Sequence, residues 1–158
     1  MRFSIFARAA VCLLLCATCV SSLEAQNKKF LRFGKVDPAE LTMESYELDA
    51  EAGAVILFEK EHVYFDVIKD KFQLVFEVHR RVKIFSSSES DQANVEIPFY
   101  SFNRMEEVTS VKGMTYNLED GKIVESKLER DAVFLEDVSD YFSQKKFALP
   151  NVKDGSVI

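Results

Sequence analysis

Lys71-Phe72-Gln73-Leu74-Val75-Phe76-Glu77-Val78-His79-Arg80-Arg81-Val82-Lys83-Ile84-Phe85 is the stretch on which the fold turns. Phe72, Leu74, Phe76, Val78, Val82 and Ile84 fall on one side of an extended chain. Lys71, Gln73, Glu77, His79, Arg81 and Lys83 fall on the other. This period of two marks a strand with one buried face. Arg80 alone interrupts the apolar side. The stretch would run about 50 Å if straight, so a bend or bulge is expected near Arg80.

Upstream, Ala54-Val55-Ile56-Leu57-Phe58 is a run of strand formers that continues to Val63, Tyr64 and Phe65. Before it, Asp37-Pro38-Ala39-Glu40 reads as a helix opening. Asp37 is the N-cap, Pro38 the first helical residue and Glu40 the closing member of a capping box. Downstream, residues 86–92 (SSSESDQ) form a solvated turn. Val95, Ile97, Phe99 and Tyr100 make a further strand, which Pro98 places at a sheet edge. Residues 108–118 read as a strand, bulged at Gly113, and Asp120-Gly121 marks a tight hairpin into 122–128. Residues 134–142 fit either a strand or a helical stripe through Phe134, Val138, Tyr141 and Phe142, and 145–149 read as a strand ending at Pro150. Several strands separated by turns, without alternating long helices, predict a mostly β chain. The expected fold is an antiparallel β-sandwich with one short N-terminal helix, preceded by a helical signal peptide.

The signal peptide is residues 1–25. Arg2 and Arg8 supply its positive start, the 12 residues Ala9 to Val20 its apolar run, and Leu23-Glu24-Ala25 its cleavage site. A bilayer-spanning helix needs roughly 20 residues, so cleavage and export are expected, to the periplasm or the cell exterior, with no stable membrane anchor left. Cys12, Cys16 and Cys19 all lie in this leader, where an apolar run offers a metal no second shell. A lipid anchor would need small residues before the modified cysteine, and neither Leu14-Leu15 nor Ala17-Thr18 makes a convincing signal of that kind. The remaining 133 residues, 26–158, form one domain with no cysteine and a net charge of −7. Thiol nucleophiles are therefore absent from it. The acidic balance argues against a nucleic-acid partner, which would call for an excess of Lys and Arg.

Chemistry-bearing patterns are sparse. His62 and His79 belong to no H-x-x-H or H-E-x-x-H motif, and His79 shares the polar strand face with Glu77, Arg81 and Lys83. The pairs Glu106-Glu107, Glu119-Asp120 and Glu136-Asp137 sit beside turns or strand ends, with no sign of the burial that a glycosidase acid requires. Arg80-Arg81 and Lys145-Lys146 are dipeptides on strands, whose members point to opposite faces. No glycine-rich phosphate loop, nucleophile elbow or calcium loop occurs. Neither a catalytic residue nor a cofactor or metal is expected. The 12 Phe and 5 Tyr outside the leader are mostly core material, but Phe99, Tyr100 and Phe102, beside a loop, are candidates for an interaction surface.

Three stretches carry a family resemblance. They are Asp49-Ala50-Glu51-Ala52-Gly53-Ala54-Val55-Ile56-Leu57-Phe58, Val78-His79-Arg80-Arg81-Val82-Lys83-Ile84-Phe85, and Lys146-Phe147-Ala148-Leu149-Pro150-Asn151-Val152-Lys153-Asp154-Gly155-Ser156-Val157-Ile158. With the Thr115-Tyr116-Asn117…Asp120-Gly121-Lys122 hairpin between them, they resemble the domain-of-unknown-function family 3857. That family is an N-terminal β-rich domain of exported bacterial proteins, commonly followed by a transglutaminase-like, papain-related domain. The resemblance covers nearly all of residues 30–158 and implies an accessory domain with no catalytic residues to carry over. In the family the Gly-Ser-x-Ile segment runs on into further sheet, so this chain is expected to be incomplete at its C-terminus. Extending it with native sequence would then raise the melting temperature.

Two readings of function stand beside each other. One is a non-enzymatic, exported domain that packs on, or presents substrate to, a transglutaminase-like domain or another exported protein. The other is an independent binding module for a protein or a cell-surface glycan.

Overall fold

The computed structural model describes residues 32–158, so the expected signal peptide lies outside the described residues. The chain divides into two units, Met1–Asp37 and Pro38–Ile158. Of the first, only a turn is described, in which the Lys35 amide donates to the Arg32 carbonyl at 3.2 Å.

The second unit is mostly β, with antiparallel pairing throughout and one short helix. Helix α1 (Pro38–Thr42) begins at the proline, as the Asp-Pro opening predicts. Strands β1 (Ala54–Ile68) and β2 (Lys71–Ile84) form a long hairpin. Lys69 and Asp70 both have positive φ at its turn, the backbone that matches the right-handed twist of the strands. Strand β3 (Asn94–Tyr100) follows a 3₁₀ segment, Ser87–Ala93. Strands β4 (Met114–Glu119) and β5 (Lys122–Lys127) turn at Asp120-Gly121, again with both φ positive. Strands β6 (Phe134–Asp137) and β7 (Phe142–Ala148) complete the set.

β3, β7 and β6 make one three-stranded sheet in that order. β3 is its edge, where Pro98 needs no ladder partner on its outer side. The two hairpins, β1–β2 and β4–β5, are joined by the last residues of the chain. Val157 bridges Lys83 of β2 on one side and Tyr116 of β4 on the other. The Ile158 and Val82 amides each donate to the other's carbonyl at 2.8 and 2.9 Å, and Val157 and Tyr116 do the same at 3.0 and 2.8 Å. The Ile84 amide donates to the Ser156 carbonyl at 2.8 Å. Residues 156–158 are thus the central strand that turns two hairpins into one sheet. Ser156 and Val157 are wholly buried there. The Ser156 hydroxyl donates to Asn117 Oδ1 at 2.6 Å and accepts from the Lys153 amide at 2.9 Å.

Burial along β2 departs from the pattern read in the sequence. Only Val82 and Ile84 of its apolar face are buried, whereas Phe72, Leu74, Phe76 and Val78 are exposed. Arg81 and Lys83, assigned to the solvent side, are buried at 3% and 0% exposure. The reason is local: residues 81–84 are flanked by β1 and by the C-terminal strand, and α1 covers their polar face. Arg81 Nη1 donates to both carboxylate oxygens of Glu40, at 3.0 and 2.9 Å, and Lys83 Nζ donates to the carbonyls of Leu41 and Gly155, both at 2.8 Å. The bulge expected near Arg80 is present on the partner strand. The register slips between Ile56 and Phe58, leaving Leu57 opposite no residue of its own.

Three other boundaries differ. β4 starts at Met114 rather than residue 108, and β7 at Phe142 rather than 145. Residues 134–142 are strand, turn and strand, not a helix. The glycine of the expected bulge, Gly113, instead precedes β4 at a crowded point. A Cβ there would run into the Leu149 side chain, which follows β7, and would crowd Leu128, which follows β5.

Two buried hydroxyls of β4, Thr115 Oγ1 and Tyr116 Oη, have no hydrogen-bond partner among the described residues. Leaving a buried hydroxyl unpaired costs about 1–3 kcal/mol. Tyr116→Phe is therefore expected to raise stability by up to about 1 kcal/mol in urea unfolding, and a loss of stability would show that the hydroxyl is engaged. Burial, with Glu125 adding to it, pushes the Tyr116 phenol above its usual 10.0. The folded state therefore holds this proton longer than the unfolded chain, and stability falls as pH rises past 10. Tyr116→Phe removes that fall.

Candidate functional site

Alternation along β3 sends Phe99 and Tyr100 to opposite faces. Phe99 is paired with Ser143, whereas Tyr100 is paired with Phe142. Of the three residues singled out in the sequence, the structure gathers Tyr100 and Phe102 into one cluster and sets Phe99 on the other face. The cluster is completed by Tyr141 and Phe142. Tyr100 stacks on Tyr141 with centroids 6.4 Å apart and meets Phe142 edge-on at 5.3 Å. Phe102 lies 5.2 Å from Tyr141 and 6.2 Å from Tyr100. Phe102, Tyr141 and Phe142 nevertheless remain about half exposed, so the rings form a surface patch and not a core.

The loops that carry these rings are tightly tied. Ser101 and Phe102 amides both donate to the Tyr141 carbonyl, at 2.9 and 3.4 Å. The buried Ser143 hydroxyl lies 2.8 Å from both Ser101 Oγ and Asp137 Oδ1. Glu106 closes the loop after β3: its carboxylate accepts from the Tyr100 amide at 2.7 Å, and its own amide donates to the Tyr100 carbonyl at 3.0 Å. Within that loop Asn103 and Arg104 both take positive φ. On the other side, Ser139 Oγ accepts from the amides of Tyr141 and Phe142 at 3.3 and 3.2 Å. Framing of this kind lowers the conformational entropy lost when a partner covers the rings.

Elsewhere, charged groups answer one another. Arg80 pairs with Glu59, and Lys146 pairs with both Glu96 (3.0 Å) and Glu136 (3.1 Å). Gln144 and Lys146 together hold the Glu136 carboxyl below its ordinary range, and Glu96 and Glu136 hold the Lys146 ammonium above its own. His62 lies 3.7 Å from Glu77 and against the Tyr64 ring. His79 packs edge-on against Phe58 at 4.9 Å; partial burial, with Arg81 and Lys60 nearby, keeps it below its usual value. A depression between β4, β5 and residues 151–153 is lined by Asn117, Glu119, Ser126, Asn151 and Lys153. Those side chains bond internally, Asn151 to Ser126 at 2.9 Å and Lys153 to Glu119 at 2.6 Å. Among the described residues no group of three His, Cys, Asp or Glu is placed to hold a metal ion, and no helix is long and apolar enough to cross a membrane.

Tyr141 and Phe142 escaped the sequence reading because their spacing from Phe134 and Val138 also suits a helix. The signal that would have found them is Asp137-Val138-Ser139-Asp140, a polar turn that separates two short strands. No match to this chain is found among protein-family models, curated proteins or solved structures.

Proposed function

We propose that this chain is a non-catalytic, exported β domain that works by contact, packing on or presenting substrate to a transglutaminase-like, papain-related domain. The observation that carries the reading is the framed aromatic patch of Tyr100, Phe102, Tyr141 and Phe142, the last three about half exposed, held by backbone hydrogen bonds on both sides. Aromatic anchors on a rigid frame dominate the energetics of protein contacts. The resemblance of the three ordered stretches to family 3857 supplies the partner class.

Binding of a purified exported transglutaminase-like domain tests this by calorimetry. Phe102→Ala and Tyr141→Ala are each expected to weaken it about 10- to 100-fold, with the melting temperature shifted little. Absence of binding, or binding insensitive to both substitutions, overturns the reading. Retention of the chain on a glycan array, lost in the same variants, would assign the patch to a carbohydrate instead.

A further inference from the structure

Beyond the bulge, the β1–β2 hairpin continues as an arm of two strands with no third strand beside it among the described residues. Its two faces differ sharply. One carries the cross-strand pairs Val63–Phe76, Phe65–Leu74 and Val67–Phe72, and all six side chains are exposed. Phe65 and Phe72 are exposed to 76% and 84%. The other face is largely polar, with His62 opposite Glu77, Asp66 opposite Gln73, and the Tyr64 hydroxyl donating to Glu77 at 3.0 Å. An isolated two-stranded ribbon is marginal in water. The uncovered side, with Val78, amounts to roughly 800 Å² of apolar surface, above the 300–600 Å² of the largest patch on a typical monomer.

We propose that this face of the arm is a two-fold interface with a second copy of the chain. Doubling the face brings the buried area to about 1,600 Å², the size of a standard stable interface. A sheet face packs well on another sheet face at about 10 Å, and an isologous contact needs only one self-complementary patch. Charge fixes the direction. Glu61, opposite Val78, lies at the base of the apolar stretch, and Lys69 lies at the tip. Arms running side by side in the same sense would set Glu61 against Glu61. Arms running in opposite senses set each Glu61 near the partner's tip, where Lys69 and Lys71 outweigh Asp70. The aromatic patch at Tyr100 takes no part.

Sedimentation equilibrium of the full chain from about 1 to 100 µM is expected to show a reversible dimer. Phe65→Asp and Phe72→Asp, at positions already exposed, are each expected to raise the dissociation constant about 100-fold or more. Glu61→Lys is expected to raise it about 3- to 10-fold, and adding Lys69→Glu is expected to restore it. Phe65→Trp supplies a second readout, since its emission should shift to the blue over the same concentration range. A monomer at every concentration overturns the proposal. So does a dimer indifferent to Phe65→Asp, as association through the N-terminal residues would be. Capture of a transglutaminase-like domain or of anionic vesicles through Phe65 and Phe72, without a dimer, likewise overturns it.

Discussion

Deleting residues 156–158 is expected to abolish cooperative unfolding. The deletion removes five backbone hydrogen bonds to the two hairpins, two to Val82, one to Ile84 and two to Tyr116. It leaves those groups facing a gap in the middle of a sheet, each orphan costing about 1–3 kcal/mol. It also removes Val157, which has no exposure, and the Ser156 hydroxyl that satisfies Asn117. Against a total stability of about 5–15 kcal/mol, the loss exceeds what a domain of this size can spare. The milder Val157→Ala keeps the backbone bonds and should cost about 1–3 kcal/mol through the lost methyls. Urea unfolding followed by far-UV circular dichroism separates the two. A truncated chain that still unfolds in one sharp transition would show that the hairpins hold without their central strand.

Lys83→Met is expected to cost about 2–4 kcal/mol, although it replaces a buried ammonium by an apolar side chain of similar length. Replacing a buried ion pair with hydrophobic groups often stabilises, because both partners disappear together. Here the partners are the Leu41 and Gly155 carbonyls, which no substitution removes. Both would lose this donor, the Leu41 carbonyl in a buried site and the Gly155 carbonyl in a part-buried one. Burial holds the Lys83 ammonium below its usual 10.5. Between that lowered value and 10.5 the unfolded chain binds more protons than the folded one, so stability rises with pH in this window. The rise should be read below pH 10, before ionisation of Tyr116 in the unfolded chain opposes it. Lys83→Met should flatten it. A variant as stable as its parent, or one with an unchanged alkaline slope, would refute this account of the site.

What the sequence disclosed is set by how far each signal reaches along the chain. Asp120-Gly121 and Asp37-Pro38 act within a few residues, and the hairpin and helix stand where those residues place them. Pro98 fixed an edge for the same reason. Alternation in 71–84 states which side chains share a face but not what covers it. The distal apolar side is consequently bare, and Arg81 and Lys83 are buried under a helix of five residues. Nothing near Lys83 in sequence forecasts that Leu41 and Gly155 will receive its protons. The central strand is shorter still: three residues cannot express a period. Of the candidate surface, Tyr100 and Phe102 were legible as aromatics beside a loop. Phe99 was separated from them by the same alternation that built the strand, and Tyr141 and Phe142 join only because β6 and β7 pair.

The long span between Lys83 and Gly155, 72 residues, also orders events in time. A ribosome adding about 5–20 residues per second needs roughly 4–14 s to cross it. For that interval the outer rim of β2 lacks the strand it closes on, and the sheet cannot be completed. In a chain we propose to be exported, late closure of the sheet would keep the route out of the cell open until residues 156–158 have been added.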